Sequence, residues 1–297
     1  MRVAIIVNPV SGRGTRRAPA GGERIEQARR LASRGGLSVE IAATNGRGHA
    51  AELAGQFVSR GFARVIAWGG DGTINETAGP LVGSRAILGI VPSGSGDGLA
   101  RSLGLPRHPA QALAAALDAP GESLDVGMLG GRHFLNIGGF GFDAAVAEAF
   151  NRRATRGTRG YLIEGLRRIW RYECRTYSVS AGDERVDAAH FLVAFANGRE
   201  YGSGLVLAPD ASPTDGYLNM ITVTDGSPWR QLWRSRRLAY RRLAPAEGVR
   251  RACVTSATVG GEVLHGHVDG QPFEERGTLA VGIKPKGILI ARARSAG

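Results

Sequence analysis

The stretch Ala63-Arg64-Val65-Ile66-Ala67-Trp68-Gly69-Gly70-Asp71-Gly72-Thr73-Ile74-Asn75-Glu76 decides how this chain is read. The short apolar run Val65–Trp68 has the character of a buried strand, and it stops at two glycines. Thr73 and Glu76 stand three apart, the spacing of a capping box, which predicts a helix starting at Thr73. A strand, a glycine turn and a helix start in succession gather backbone N–H groups and a positive dipole end at one point, where a phosphate binds. Asp71 adds a carboxylate able to hold Mg²⁺ or accept a proton. Glycines also serve an ordinary tight turn; the aspartate between them and the cap spacing behind them favour the phosphate reading.

Around this stretch the first 125 or so residues alternate strand and helix signals, the pattern of a parallel sheet with crossover helices. Strands are predicted at Val3–Val7, Ser38–Ala42, Arg64–Trp68 and Ile87–Val91, and helices at Gly22–Ser33, Gly48–Arg60, Ile74–Leu81 and Pro109–Leu117. Three of the strands end in glycine-bearing loops, at Asn8–Gly14, Gly69–Thr73 and Pro92–Gly98. Loops at the carboxyl ends of parallel strands share one edge, so the three imply a single nucleotide cleft. Beyond Asp125 the texture turns to short β runs: Arg132–Ile137, Arg175–Ser180, Ala189–Ala196, Tyr217–Thr224, Ala252–Val259, Val263–Val268 and Thr278–Ile283. Gly287–Ala291 reads as a last strand returning to the first domain.

The 297 residues leave room for about two domains. The net charge of +12 is concentrated in two segments. Arg152–Arg171 holds seven Arg and one Glu; Pro228–Arg251 holds eight Arg and one Glu. Both carry aromatics and leucines, which suits amphipathic helices on an anionic membrane surface, with Arg167, Trp170, Trp229, Trp233 and Arg234 facing the lipid. Nucleic acid and a merely solvated face are the competing readings. The only lysines are Lys284 and Lys286, so neither a Walker-A loop nor a protein-kinase strand lysine is available. With two cysteines, Cys174 and Cys253, a reducing compartment is expected. No apolar run approaches the roughly 20 residues that cross a bilayer, so a cytoplasmic protein, peripheral to the inner membrane face, is expected.

Taken in order, Asn8-Pro9-Val10-Ser11-Gly12, Gly69–Glu76, Pro92–Arg101, Leu124–Gly127, Asn136–Asp143, Asn197–Gly204, Ala208–Tyr217 and His267–Gly270 resemble the diacylglycerol kinase catalytic-domain family, which includes bacterial lipid kinases and sphingosine kinases. The resemblance implies an α/β fold: an N-terminal Rossmann-like domain akin to NAD kinase and phosphofructokinase, residues 1–125 with a strand near 285–297 returning to it. A C-terminal antiparallel β-sandwich for the lipid, residues 126–284, follows, with ATP bound between the two. It implies that Gly69, Gly70, Asp71, Gly72, Thr73, Ile74 and Asn75 wrap the ATP phosphates, joined by Asn8, Ser11, Arg13, Thr44, Ser93, Gly94 and Ser95. Asp269 would be the general base, a role also argued for the equivalent of Asp71 in sphingosine-kinase-like members. Asp71 and Asp125 would serve catalytic Mg²⁺, and Asp215 with carbonyls near Ser212 and Tyr217 a structural Mg²⁺.

Several residues depart from the family pattern. Gln271 stands where relatives usually carry Glu, Arg13 where they carry Lys, and Asp97-Gly98 where an Asn-Asp pair is common. The expected activity is ATP- and Mg²⁺-dependent phosphorylation of a lipid hydroxyl at an anionic membrane, with no nucleic-acid partner and a homodimer left open. The alternatives are a soluble NAD-kinase-like phosphotransferase and a non-catalytic nucleotide- or lipid-binding module. Outside the resemblance, His265, His267 and Asp269 alternate; on a strand they would share one face, where they could ligate a transition metal, although a histidine beside a catalytic carboxylate more often tunes or orients it.

Overall fold

The computed structural model describes residues 2–12, 21–34, 38–94, 96–152, 172–202, 205–224 and 248–292. The chain forms two compact units, Met1–Leu124 with Lys286–Gly297, and Asp125–Pro285.

The first unit alternates strand and helix up to its last two helices: β1 (Arg2–Val7), α1 (Gly21–Arg34), β2 (Ser38–Ala43), α2 (His49–Ser59), β3 (Arg64–Gly69), α3 (Asp71–Ala78) running into a 3₁₀ turn (Gly79–Leu81), β4 (Ile87–Pro92), α4 (Gly98–Ser102) and α5 (Pro109–Asp118). The strands pair in parallel in the order β2-β1-β3-β4, and Leu289–Ile290 extend the sheet in parallel beyond β4. The apolar runs of β1 and β3 are buried along their length because helices cover both faces of the sheet. β2 alternates between partly covered and exposed positions, as an edge strand does.

Arg64 opens β3 yet is buried; it donates to the carbonyls of Ala116 and Ala119 at 2.6 and 2.8 Å and so satisfies the C-terminal end of α5. Gly89 lets α5 approach closely, since a Cβ there would sit 2.8 Å from Ile66 and 3.1 Å from the Ala116 carbonyl. Helix α3 begins two residues before Thr73. Gly70 is its N-cap, with no side-chain cap bond. Thr73, the expected cap, lies inside the first turn, where its Oγ1 instead accepts from Asn8 Nδ2 at 2.9 Å.

The second unit comprises β6 (Arg132–Phe134), β7 (Ile137–Gly141), α6 (Phe142–Arg152), β8 (Arg175–Ala181), β9 (Glu184–Ala196), the small hairpin β10 (Glu200–Gly202) and β11 (Leu205–Val206), β12 (Leu218–Thr224), β13 (Val249–Val254) and β14 (Ser256–Val268). Strand β5 (Gly121–Leu129) leads into it and β15 (Gln271–Ala291) leads out. Its antiparallel order is β13-β12-β9-β7-β14-β15. The long strands β9 and β14 each serve twice. Their first halves both pair with β8, and their second halves both pair with β7. The core between these strands is aromatic, with Phe134, Phe140, Tyr177 and Phe195 fully enclosed.

The run expected as one strand over Arg132–Ile137 is broken at Leu135 and Asn136, because their N–H groups bond a side chain rather than a ladder. The run Ala252–Val259 breaks at Thr255, where the chain leaves β12 as partner and joins β15. Of the two Arg-rich segments, Arg152 ends α6 and Val249–Arg251 belong to strand β13. Arg167, Trp170, Trp229, Trp233 and Arg234 lie outside the described residues, as do Arg13 and Ser95. Among the described residues no helix is long and apolar enough to cross a membrane.

Candidate active site

In the first unit the loops that follow β1, β3 and β4 come together around the start of α3. Asn8, just past β1, donates from its backbone to Trp68 and from its side chain to Thr73. Ser93, just past β4, donates its N–H to the Gly69 carbonyl at 2.8 Å, and its Oγ lies 2.8 Å from Ser11 Oγ. The glycines are required by proximity. A Cβ on Gly94 would stand 2.9 Å from the Gly70 Cα, and one on Gly69 would stand 2.4 Å from the Thr73 Cβ. Two backbone turns therefore touch without side chains between them, at the uncapped N-terminus of an eight-residue helix. That is the local geometry of a phosphate cradle.

One organiser of this cradle is Arg24, which no motif in the sequence singles out. It sits on α1, 1% exposed, and its guanidinium donates to Asn8 O (2.7 Å), Ser11 Oγ (2.8 Å) and Ser11 O (2.7 Å). These acceptors are all neutral, so the arginine fixes Asn8 and Ser11 while its charge stays uncancelled by them. Burial pulls the guanidinium below its ordinary value. A signal was available: Arg24 precedes the buried Ala28 by four, which puts a cation on the apolar stripe of α1.

Asp71 and Asp97 bring two carboxylates to the same turns. Asp71 Oδ1 lies 3.5 Å from the Leu99 N–H, and its Oδ2 is 3.3 Å from where a Cβ on Gly96 would stand. Asp97 is buried in a left-handed conformation, φ 46°, and accepts the Gly94 N–H at 2.8 Å. Burial first and the Asp71 charge second push the Asp97 carboxyl up to about 7, against weaker opposing pulls from the Gly94 bond, Arg107 and Arg101. Two carboxylates that repel each other beside a glycine cradle suit a hard divalent cation with phosphate oxygens completing its shell.

In the second unit Asp269 closes the β14–β15 turn at φ 46°, one residue past the end of the strand. Its carboxylate accepts three consecutive backbone N–H groups, from Leu135 (2.8 Å), Asn136 (2.9 Å) and Ile137 (3.0 Å), and its own N–H donates to Ile137 O at 2.8 Å. The carboxylate orientation is thus fixed by main chain. The alternating trio does not form a metal site: His267 turns to Asp143, His265 lies 3.4 Å from Glu274, and Asp269 is off the strand. Among the described residues no three His, Cys, Asp or Glu side chains gather as metal ligands.

Asp125 belongs with the 212–217 loop. Its carboxylate accepts the Gly216 N–H at 2.8 Å, its N–H donates to Pro213 O, and Asn197 holds its carbonyl. Asp215 accepts the Tyr217 N–H at 2.9 Å, and the Ser212 and Thr214 hydroxyls lie 3.1 Å apart. The first unit therefore assembles Asn8, Ser11, Ser93, Gly94 and Gly69–Thr73, with Ile74 and Asn75 buried behind them in α3 and Thr44 bonded through its N–H to Val7 O. The second unit assembles Asp125 with Ser212, Asp215 and Tyr217, and Asp269 with residues 135–137.

Residues 2–129 match the family described as Diacylglycerol kinase catalytic domain, and residues 137–290 match the YegS C-terminal NAD kinase beta sandwich-like domain. A protein of Chromohalobacter salexigens named "Probable lipid kinase YegS-like" is 36% identical over 202 residues, covering 66% of this chain and 64% of that relative. A Mycobacterium tuberculosis protein named "Diacylglycerol kinase" is 33% identical over 235 residues, covering 76% of this chain and 74% of its own length. The crystal structure of a diacylglycerol kinase from Bacillus anthracis shares the fold with a TM-score of 0.75 at 18% identity, across 99% of this chain and 97% of that one.

Proposed function

Since the chain belongs to the diacylglycerol kinase catalytic-domain family, we propose that it is an ATP- and Mg²⁺-dependent kinase of a membrane-lipid hydroxyl, such as that of diacylglycerol or a sphingoid base. The observation that carries this reading is the uncapped α3 N-terminus wedged between the Gly70 and Gly94 turns, with Asp71 and Asp97 beside it. In it the Rossmann-like unit receives the triphosphate on the backbone of Gly69–Asn75, with Asn8, Ser11, Thr44, Ser93 and Gly94 at its rim. Arg24 holds Asn8 and Ser11 in place. Asp71, with Asp97, would hold Mg²⁺, whose chemistry is to neutralise the phosphate oxygens.

The second unit receives the acceptor. As its hydroxyl oxygen attacks the γ-phosphorus, the bond to the β–γ bridging oxygen breaks, ADP departs and the hydroxyl proton passes to Asp269. A carboxylate held by three N–H groups is pre-aimed for that step. The Asp125 and Asp215 loop would hold the structural cation. The Arg- and Trp-rich segments would seat the enzyme on an anionic bilayer from the cytoplasmic side.

The test is transfer of radiolabelled phosphate from ATP·Mg²⁺ to anionic vesicles carrying diacylglycerol, sphingosine or ceramide, with free NAD as a soluble acceptor. Labelled lipid that disappears with a chelator and in Asp71→Asn supports the proposal. Labelled NAD with no labelled lipid would replace it with the soluble reading, and nucleotide binding without transfer would leave a binding module. Sedimentation that is equal on neutral and anionic vesicles, and unchanged by Trp229→Ala, Trp233→Ala and Arg234→Ala, rejects the membrane part.

A further inference from the structure

Behind the Asp269-Gly270 turn lies a buried polar chain that the phosphoryl-transfer steps do not use. Asp143, at the start of α6, is 6% exposed, and His267, on β14, is 3% exposed. His267 Nε2 lies 2.9 Å from Asp143 Oδ2, and the same oxygen accepts the Tyr201 hydroxyl. The other carboxylate oxygen takes the Ala144 N–H. On the far side of the imidazole, Nδ1 accepts the Gly270 N–H at 3.2 Å. A backbone N–H can only donate, so Nδ1 is bare and the ring proton sits on Nε2, directed at the carboxylate. Space for this chain is reserved by Gly139, where a Cβ would stand 3.0 Å from Asp143 Oδ2.

The Asp269-Gly270 turn is thus held from two sides. Residues 135–137 grip the Asp269 carboxylate, and His267 grips the next peptide N–H. Both turn residues have left-handed backbones, φ 46° and 77°, a conformation costly for a non-glycine residue and kept only where neighbours enforce it. We propose that His267, oriented by Asp143 and Tyr201, is a positioning residue for the phosphoryl-transfer step, setting the attitude of Asp269 through Gly270. The proposal rests on the reading of Asp269 as the base.

Two variants separate the two bonds of the ring. In His267→Asn the amide oxygen falls near the place of Nδ1 and can still accept from Gly270, while contact with Asp143 is lost. In His267→Gln the amide nitrogen reaches Asp143 and nothing accepts from Gly270. Phosphorylation of 1,2-dioleoylglycerol in phosphatidylglycerol vesicles is measured for both and for His267→Ala. The expected result is kcat lowered roughly ten- to a hundredfold in the Gln and Ala variants, KM for ATP unchanged, and Asn within a few-fold of wild type. Gln as active as Asn, or losses in KM alone, overturns the proposal.

Amide exchange of Gly270 and the nitrogen resonances of His267, followed by NMR on the full chain, need no turnover. Slow exchange and an Nε2–H ring in wild type, with fast exchange in Gln and Ala but not in Asn, supports the positioning bond. Fast exchange in wild type refutes it. A wild type inert on every lipid but showing the protected amide would sink the kinase reading and spare the bond.

Discussion

Replacing Asp97 by Asn isolates the electrostatics of the glycine cradle, and the structure makes the swap nearly silent in shape. Asn tolerates the left-handed backbone at φ 46°, and its Oδ1 can keep the 2.8 Å bond from Gly94. What disappears is a charge buried beside Asp71. The native carboxyl is pushed from 3.8 to about 7, so the folded state binds this proton more tightly than the unfolded chain. Stability from this group is therefore complete below about pH 4 and is lost as the pH climbs through 7. Each tenfold gain in proton affinity corresponds to about 1.36 kcal/mol, so a rise of this size sets a ceiling of about 4 kcal/mol.

Asp97→Asn is accordingly expected to match wild type near pH 4 and to exceed it at pH 8, by about 1–3 kcal/mol once relaxation is allowed for. Hydrogen exchange of the β3 amides, 64–69, reads the stability of the first unit alone. Mg²⁺ should narrow the gap at pH 8 by stabilising wild type more than the variant. A difference that is constant with pH, or a variant less stable at pH 8, would refute the account of two carboxylates in conflict.

Arg24→Met leaves the Ser11 carbonyl without the Arg24 donor and the Asn8 carbonyl with the Ser11 hydroxyl at 3.2 Å, and should cost about 1–3 kcal/mol, with weaker ATP binding; unchanged urea unfolding and unchanged nucleotide titration would remove Arg24 from the cradle. Gly94→Ala pushes a methyl to 2.9 Å from Gly70 and should lower ATP affinity roughly tenfold, whereas Gly46→Ala, with nothing within 4 Å, should leave calorimetric binding unaltered. Asp269→Asn turns an NH₂ toward a row of N–H donors, so it should destabilise the second unit by about 1–3 kcal/mol as well as abolish transfer. Exchange at residues 135–137 that matches wild type would contradict this.

The parallel half of the fold was legible because each of its elements announces itself locally. β1 and β3 are unbroken apolar runs, and the loops after them carry glycine where backbones must touch. The helix starts at Asp71 rather than Thr73 because a bare glycine cap takes the place of the capping box that the spacing suggests. The rest depended on long-range bonds that spacing cannot express. Nothing near Arg24 in sequence says that its partners lie across a loop. His267 and Asp143 are 124 positions apart, and Asp269 splits β6 from β7 from a distance of more than 130. The alternation of His265, His267 and Asp269 misled for a related reason: the strand ends at Val268, and face-sharing ends with it.

The pairing of Leu289–Ile290 with Ile87–Leu88 has a consequence for how the protein is made. The segment that seals the open side of β4 leaves the ribosome only after all of residues 125–285. Until then β4 is a bare, apolar edge, a template for pairing with another nascent chain. Truncation before residue 286 should therefore show itself as aggregation during synthesis, even where the remaining residues can fold.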